Sequence, residues 1–572
     1  MIALLRIDER LIHGQVATSW SKALDIDTIV CASDEAAQNP LKKKMLLIAA
    51  PPGKKTHVRS VDEVIGLLQD PRAERMKIFL LTGQSNSLGA VKGSPASPEL
   101  LKKYEPKETL YWHENFGQRE GVFPGASTSW EQVRPAMPRY NGNLCMGPEY
   151  GFAFTLEKNG WFKDADVAVV KASRDGGDNS HWRKNGQAYR TLVQAVKNAC
   201  AGVDRSKYSK VEFAGLLYLQ GESNAGTSVP ESASRFLELL GNLAADLKPY
   251  GDTSALAAQK AVLGENANWA GKNESDPETG NLTGGLEGRD TEVQGKTTRQ
   301  VMKDLAESRP SLGYAPTRDL PKLTAGDQMG VHYSGQSQIS IGARFAYEAA
   351  RLAGKDTGSV RSGRYDLPLG SPDAWMNRKM PGKNVCVWNV ASSVKPSLVS
   401  GGVKLFGIRV EDPAVKTVIV RSKGSSGDRL VIGPGGIRLA EGKNLQLRTN
   451  VQLAGRQSWN IPGGSAVEIK PSPVQEKAMP VRLSGQAEVH VTQAEGGGET
   501  AEAARVVLEQ VLPSALKCSW TLSGKVEMTL KGMEGKAVNL GKVFVKQGAV
   551  LNLNGSRPVA GSVVNQGGMV NP

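Results

Sequence analysis

The stretch KIFLLTGQSNSLG, Lys77–Gly89, decides how the rest of the chain is read. An apolar, β-branched and aromatic run, Ile78 to Leu81, is followed by Thr82, Gly83, Gln84 and Ser85. This is the layout of a buried strand ending in a turn that lifts a serine out of a sheet's carboxyl edge. A serine hydroxyl is a poor nucleophile until a base takes its proton, and its attack builds a negative charge that donors must stabilise. Ser85 as a candidate nucleophile therefore requires a histidine, an acid and an oxyanion hole elsewhere. Taken alone the Gly-x-Ser step is weak, because Gly, Ser and Asn also fill ordinary turns.

Two later segments repeat the arrangement. In DADVAVVKASRDGGDNSHW, Asp164–Trp182, a buried strand at Val167–Ala172 runs into a Gly-rich loop. In VEFAGLLYLQGESNAGTS the strand Phe213–Leu219 runs straight into Gln220, Gly221, Glu222, Ser223 and Asn224. Ligands bind outside the carboxyl ends of strands in open parallel sheets, so these loops are predicted to converge. Helices are predicted from Glu149 and over Ala188–Ala201, Ser232–Lys248 and Thr298–Ser308, with a short strand at Ala261–Gly264. Residues 265–296 read as a polar, Gly-rich insertion. A last helix, with Ile341, Phe345, Ala346 and Ala349 on one face, lies behind a loop presenting His332. The fold class is α/β, a three-layer parallel-sheet enzyme. The Pro- and Gly-rich region between Gly89 and Met146, with Trp112, His113 and Trp130, reads as a lid or anchored loop.

Taken in order, GQSNSLG, GPEYGFAF, KASRDGG with Trp182, YLQGESNA and GVHYSGQSQISIGARFA resemble the sialate O-acetylesterase-like carbohydrate esterases of the SGNH hydrolase superfamily, over about residues 76–355. The resemblance implies a metal-free, cofactor-free hydrolysis of O-acetyl groups from sialic acid or acetylated polysaccharide; the alternative is a non-enzymatic surface protein with an inactive esterase fold. Ser85 is then the nucleophile and His332 the general base. The Ser85 backbone N–H and the Gly147 region would donate to the oxyanion, with Gln220 or Asn224 as a further side-chain donor and Gln84 and Glu222 in the oxyanion and substrate-binding set. In this superfamily the acid commonly lies three residues before the histidine, where this chain has Met329. Asp327, five residues before, is the first choice, Asp319 and Glu222 are alternatives, and a Ser–His dyad is a fourth arrangement.

Upstream, residues 1–75 read as alternating α/β. Strands are predicted at Met1–Ile7, Thr28–Ala32 and Thr56–Ser60, and helices at Gly14–Leu24, Glu35–Ala50 and Val61–Gln69. RIDERLIHGQVATSW and DEAAQNPLKKKMLLIAAPPGKKTHVRSVDEV resemble the start of the IIB component of mannose/sorbose-type phosphotransferase systems. That resemblance implies a phosphoryl-carrying role for His13, with Arg10, alone or with Arg6, binding phosphate. It stops near Gln69, about half a IIB domain, which would leave parallel strands without neighbours and an apolar face uncovered.

Downstream, residues 356–397 are Pro-, Gly- and Ser-rich and read as a linker, and residues 398–572 as short alternating strands, with Ala501–Gln510 as one helical interruption. LVIGPGGIRLAEGKNLQLRTNVQLAGRQSWNIPGGSAVEI resembles autotransporter-associated β-strand repeats, which implies a β-solenoid; a β-sandwich is the alternative. The default role for this region is structural, as a stalk, a surface tether or a contact with a polysaccharide matrix. The net charge of +14 is spread along the chain without a basic run interleaved with aromatics, so no nucleic-acid partner is predicted. Five scattered cysteines do not suggest a disulfide framework. No apolar stretch approaches the ~20 residues that cross a bilayer, and no secretory signal is visible. Compartment signals conflict, since the repeats and the esterase suggest the cell exterior and the IIB-like start suggests the cytoplasm.

Overall fold

The computed structural model describes residues 10–13, 28–51, 54–68, 74–89, 97–114, 127–134, 139–140, 143–144, 146–269, 273–275, 281–283, 290–323, 330–360, 367–375, 379–383, 385–388, 396–474, 477–479, 481–493, 502–559 and 562–572. The chain forms two compact units, one of residues 1–77 with 162–166 and 203–212, the other of 78–161, 167–202 and 213–572. The strand and helix predicted at Met1–Ile7 and Gly14–Leu24 lie outside the described residues.

In the first unit, β1 (Thr28–Ala32) and β2 (Lys55–Arg59) pair in parallel. The single helix predicted over Glu35–Ala50 is two, α1 (Asp34–Gln38) and α2 (Pro40–Ile48). Proline at the first turn and the Asn39 side chain, which accepts from the Leu41 and Lys42 amides at 3.0 and 3.2 Å, start a second helix there. Helix α3 (Val61–Leu68) follows. A small core of Ile12, Ile29, Cys31, Ala36 and Val58 is buried, while Leu41, Met45 and Ile48, one face of α2, stand exposed with Val30, Val61 and Ile65.

The second unit is built on a seven-stranded sheet. Its elements in chain order are β3 (Glu74–Gly83), α4 (Ser85–Leu88), β4 (Leu110–His113), β5 (Glu131–Gln132), α5 (Pro148–Asn159), β6 (Asp166–Ser173), α6 (Gln187–Ala201), β7 (Tyr208–Leu219), α7 (Ser232–Asp246), β8 (Ala261–Gly264), α8 (Thr298–Ser308), β9 (Leu312–Ala315) and α9 (Gly335–Leu352). The strand order is β9-β8-β7-β3-β6-β4-β5. Pairings of β7 with β8, β8 with β9 and β4 with β6 are parallel, and the edge strand β5 is antiparallel. From β3 the chain first builds outward on one side, through β4 and back to β6. It then crosses to the other side for β7, β8 and β9. The crevice at such a reversal, at the carboxyl ends of the strands, is where a doubly wound sheet places its ligand, and Ser85 sits there.

The expected linker is part of the β-rich region. Its strands Ser359–Val360 and Val385–Trp388 open a nine-stranded sheet, and Leu369, Trp375 and Cys386 are buried in the same core as the strands that follow. From Ser397 onward, strands of a second, eight-stranded sheet alternate along the chain with those of the first, and the ladders within both sheets are parallel. Alternating burial points Leu, Val, Ile and Trp inward from both sheets, with Trp459 and Trp520 edge to face at 5.4 Å. The helix expected over Ala501–Gln510 is a strand, Ala504–Glu509. Ala504, Val506 and Leu508 face the core and the backbone ladders with Ala466–Ile469 and Val526–Lys531.

One buried ion cluster joins α9 to this region. Arg344 donates to both Asp319 oxygens at 2.8 Å and to Asp412 at 3.2 Å, and Ser340 Oγ donates to Asp412 at 3.1 Å. Buried Lys443 donates to the carbonyls of Pro413 and Val415, fixing the turn that carries Asp412. Among the described residues no helix is long and apolar enough to cross a membrane, and the four described cysteines are buried and form no disulfide with one another.

Candidate active site

The turn after β3 is shaped by Gly83, whose φ of +146° and proximity to Leu219, 1.9 Å from a built Cβ to its carbonyl oxygen, admit no side chain. Gly221, after β7, has the same φ of +146°. The two turns are stitched by Gln84: its amide donates to Leu219 O at 3.0 Å, and its Oε1 accepts from the Gly221 and Ser223 amides at 3.3 and 3.2 Å. Ser85 then opens the four-residue helix α4, which Gly89 closes in the left-handed region. An amide in the first turn of a helix has no acceptor within it, so the Ser85 N–H is available to a ligand.

Asn86 does the gathering. Its Nδ2 donates to Glu222 Oε1 at 2.8 Å and to the Val331 carbonyl at 3.1 Å, and its Oδ1 accepts from the Tyr333 amide at 3.2 Å. Gln338 Nε2 donates to the Asn86 carbonyl at 3.0 Å. The residue next to Ser85 is thereby fixed to the Glu222 carboxylate and to the backbone on both sides of His332. Below α4, buried Lys171 donates to the Leu88 carbonyl at 3.0 Å and to Glu149 Oε2 at 2.7 Å, and Ser87 Oγ donates to the Gln84 carbonyl at 2.7 Å.

The sequence candidates separate into those drawn to this point and those used elsewhere. Gln84 and Asn86, on either side of Ser85, are hydrogen-bonded to the Gly221–Ser223 loop and to the backbone flanking His332. Gln220 and Asn224, expected near the oxyanion, have no donor left. Gln220 Nε2 serves Gly177 O and Asn224 Oδ1, and Asn224 Nδ2 serves Ser232 Oγ and Thr298 Oγ1. The Gly147 amide donates to Glu149 Oε1 at 3.0 Å and so is also committed. Asp319 is held by Arg344, and burial pushes it up to about 6 against the pull of that guanidinium. Asp327 lies outside the described residues. His13, half-buried, and Arg10, exposed, belong to the other unit.

Burial pushes the Glu222 pKa upward, tempered by the Asn86 and Ala267 hydrogen bonds and by the charge of His332. Its Oε1 accepts from the Ala267 amide at 3.0 Å, while its Oε2 is buried with no hydrogen-bond partner. His113, buried beside Lys171, is pushed down to about 4, chiefly by desolvation. No group of His, Cys, Asp and Glu among the described residues has a metal-binding arrangement. The sequence reading missed Asn86 and Lys171. Asn86 carried one signal, a polar side chain directly after the serine in a segment otherwise destined for burial.

Comparison with known proteins assigns these segments separately. Residues 75–351 match the family model of a carbohydrate esterase, the sialic acid-specific acetylesterase, and residues 2–94 match that of the sorbose-subfamily IIB component of the phosphotransferase system. The second match runs past Gln69, the limit read from sequence, and overlaps the first across β3. A probable phosphotransferase enzyme IIB component of Streptococcus pyogenes is 42% identical over 91 residues, 16% of this chain and 56% of the relative. A sorbose-specific EIIB component of Lacticaseibacillus casei is 39% identical over 94 residues, 16% of this chain and 57% of the relative. The chain thus spans little more than half the length of these curated relatives. Among solved structures, a protein from Arabidopsis thaliana aligns over 48% of this chain and 98% of its own at 15% identity with a TM-score of 0.32. A carbohydrate acetylesterase from Xanthomonas citri aligns over 48% of this chain and 56% of its own at 14% identity with a TM-score of 0.31. The chain therefore carries a segment similar to sialic acid-specific carbohydrate acetylesterases, preceded by one similar to sorbose-type IIB components.

Proposed function

We propose that the chain is a serine carbohydrate esterase that removes O-acetyl groups from a sugar through an acetyl-serine intermediate. The observation that carries this reading is the Asn86 hub, which holds the serine turn, the Glu222 loop and the His332 segment in one place. In the proposed reaction His332 takes the Ser85 proton as the hydroxyl attacks the acetyl carbonyl, then gives it to the departing sugar oxygen. Water repeats the sequence to release acetate. The Ser85 N–H donates to the tetrahedral oxyanion. Asp327 is the carboxylate assigned to orient the imidazole. Ser85→Ala should reduce acetate release from an O-acetylated sugar and from p-nitrophenyl acetate by at least ~10³-fold with the far-ultraviolet circular dichroism unchanged; hydrolysis at the original rate would overturn the reading. The C-terminal sheets, in this reading, form a β-solenoid with a structural role.

The match over residues 2–94 favours a second activity, phosphoryl acceptance at His13 with Arg10 as phosphate ligand. Incubation with a phosphorylated IIA protein should place acid-labile phosphate on the chain, and His13→Ala should remove it.

A further inference from the structure

The segment from Gly330 to Tyr333, which carries His332, precedes α9 and is placed by discrete bonds. Asn86 takes one side of it. Along the other side runs the stretch from Pro321 to Leu323. Lys322 and Tyr333 form an antiparallel bridge, the Leu323 amide donates to the His332 carbonyl at 2.9 Å, and the Ser334 amide donates to the Pro321 carbonyl at 3.2 Å. The Lys322 side chain, 2% exposed, reaches two loops at once. Its Nζ donates to the Gly330 carbonyl at 2.8 Å and to Asn268, at 2.5 Å to the carbonyl and 2.7 Å to Oδ1. Gly330 has a φ of +58°, so the chain turns in the left-handed region at the residue whose carbonyl the ammonium holds.

These bonds close a circuit. Asn268 follows Ala267, whose amide donates to Glu222 Oε1. Asn86 donates to that same oxygen and to the carbonyl of Val331, the residue after Gly330. The loop after β8, the Glu222 loop, the serine turn and the His332 segment are thus links of one ring, and Lys322 joins the first to the last. Burying an ammonium is costly unless its donors are answered, and here three oxygens surround its three N–H groups. Hydrogen bonds from a charged donor are about twice as strong as neutral ones. A general base must come within about 2.6–3.2 Å of the proton it takes, and a misplacement of about 1 Å costs on the order of 10²-fold in rate. Resting on the esterase reading and adding to its machinery, we infer that Lys322 is a positioning residue: by tying Gly330 to Asn268 it fixes the place from which His332 acts on Ser85.

Two readouts separate this inference from the reading it rests on. In the full-length chain, Lys322→Met should lower kcat for p-nitrophenyl acetate at least ~30-fold, with KM within threefold and the far-ultraviolet circular dichroism unchanged. Hydrogen–deuterium exchange should quicken at least tenfold in the peptide spanning Val331 to Ser334 and stay as it was in α5. Should Lys322→Met not fold, Lys322→Gln, whose side-chain amide still answers one oxygen, carries the same tests with a kcat loss of at least fivefold. A folded variant with unchanged kcat, or with unchanged exchange in that peptide, overturns the inference. So does a fall in rate that a fluorophosphonate titration traces wholly to fewer active sites. The esterase reading fails on a different result, absence of hydrolysis of all esters by the unaltered chain, and the exchange measurement then still decides whether Lys322 holds the segment.

Discussion

Asn86 shows how much one amide can organise. Its three side-chain hydrogen bonds span sequence separations of 136, 245 and 247 residues, so one side chain couples three loops far apart in the chain. Asn86→Ala removes the bonds to Glu222 Oε1, the Val331 carbonyl and the Tyr333 amide, and a loss of about 1–3 kcal/mol of stability follows from losing buried hydrogen bonds. Its sharper signature is kinetic. On the proposed mechanism, where Asn86 holds the backbone flanking the general base His332, kcat should fall at least tenfold while KM changes less than threefold, which steady-state assays on p-nitrophenyl acetate would measure. The loops that bear Ser85 and Glu222 were legible in sequence because strand-then-glycine patterns mark them, whereas His332 was singled out by the loop ahead of the last helix and by the family resemblance. The partners of Gln220 and Asn224 were not, since a side-chain amide beside a glycine reads the same whether it meets a ligand or, as here, Asn179, Ser232 and Thr298.

At the level of elements, agreement followed the physics of termination. Strand Ala261–Gly264 and helix Thr298–Ser308 have the bounds read from sequence, the first because an apolar run meets glycine, the second because Thr297 caps it. Ala504–Glu509 was misread because alanine and glutamate favour helix locally, whereas flanking strands on both sides offer its backbone a complete parallel ladder. The helix α4 rests on a charge pair invisible in sequence, Lys171 on β6 with Glu149 on α5, both nearly inaccessible to water. Removing one partner strands the other, so Lys171→Met should cost about 3–5 kcal/mol in urea unfolding. The double variant Lys171→Met with Glu149→Gln should recover more than half of that loss.

For the molecule as a whole, the sheet unit and the β-rich region share Arg344, a buried guanidinium held by Asp319 on one side and Asp412 on the other. Asp412→Ala should cost about 3–5 kcal/mol, and calorimetry should show the esterase segment and the C-terminal sheets unfolding in one transition. Lys443, which braces the same turn, has its pKa lowered to about 8 by burial. The folded chain then binds fewer protons than the unfolded one between about pH 8 and the ordinary lysine value, so stability rises with pH across that window, by up to about 3 kcal/mol relative to Lys443→Met. Equilibrium unfolding of both proteins between pH 7.5 and 10.5 checks the sign.

One further consequence follows from the placement of β3. Two families lay claim to this strand, yet a strand has only two rims of amide and carbonyl groups, and here β7 occupies one and β6 the other. No third ladder can recruit it.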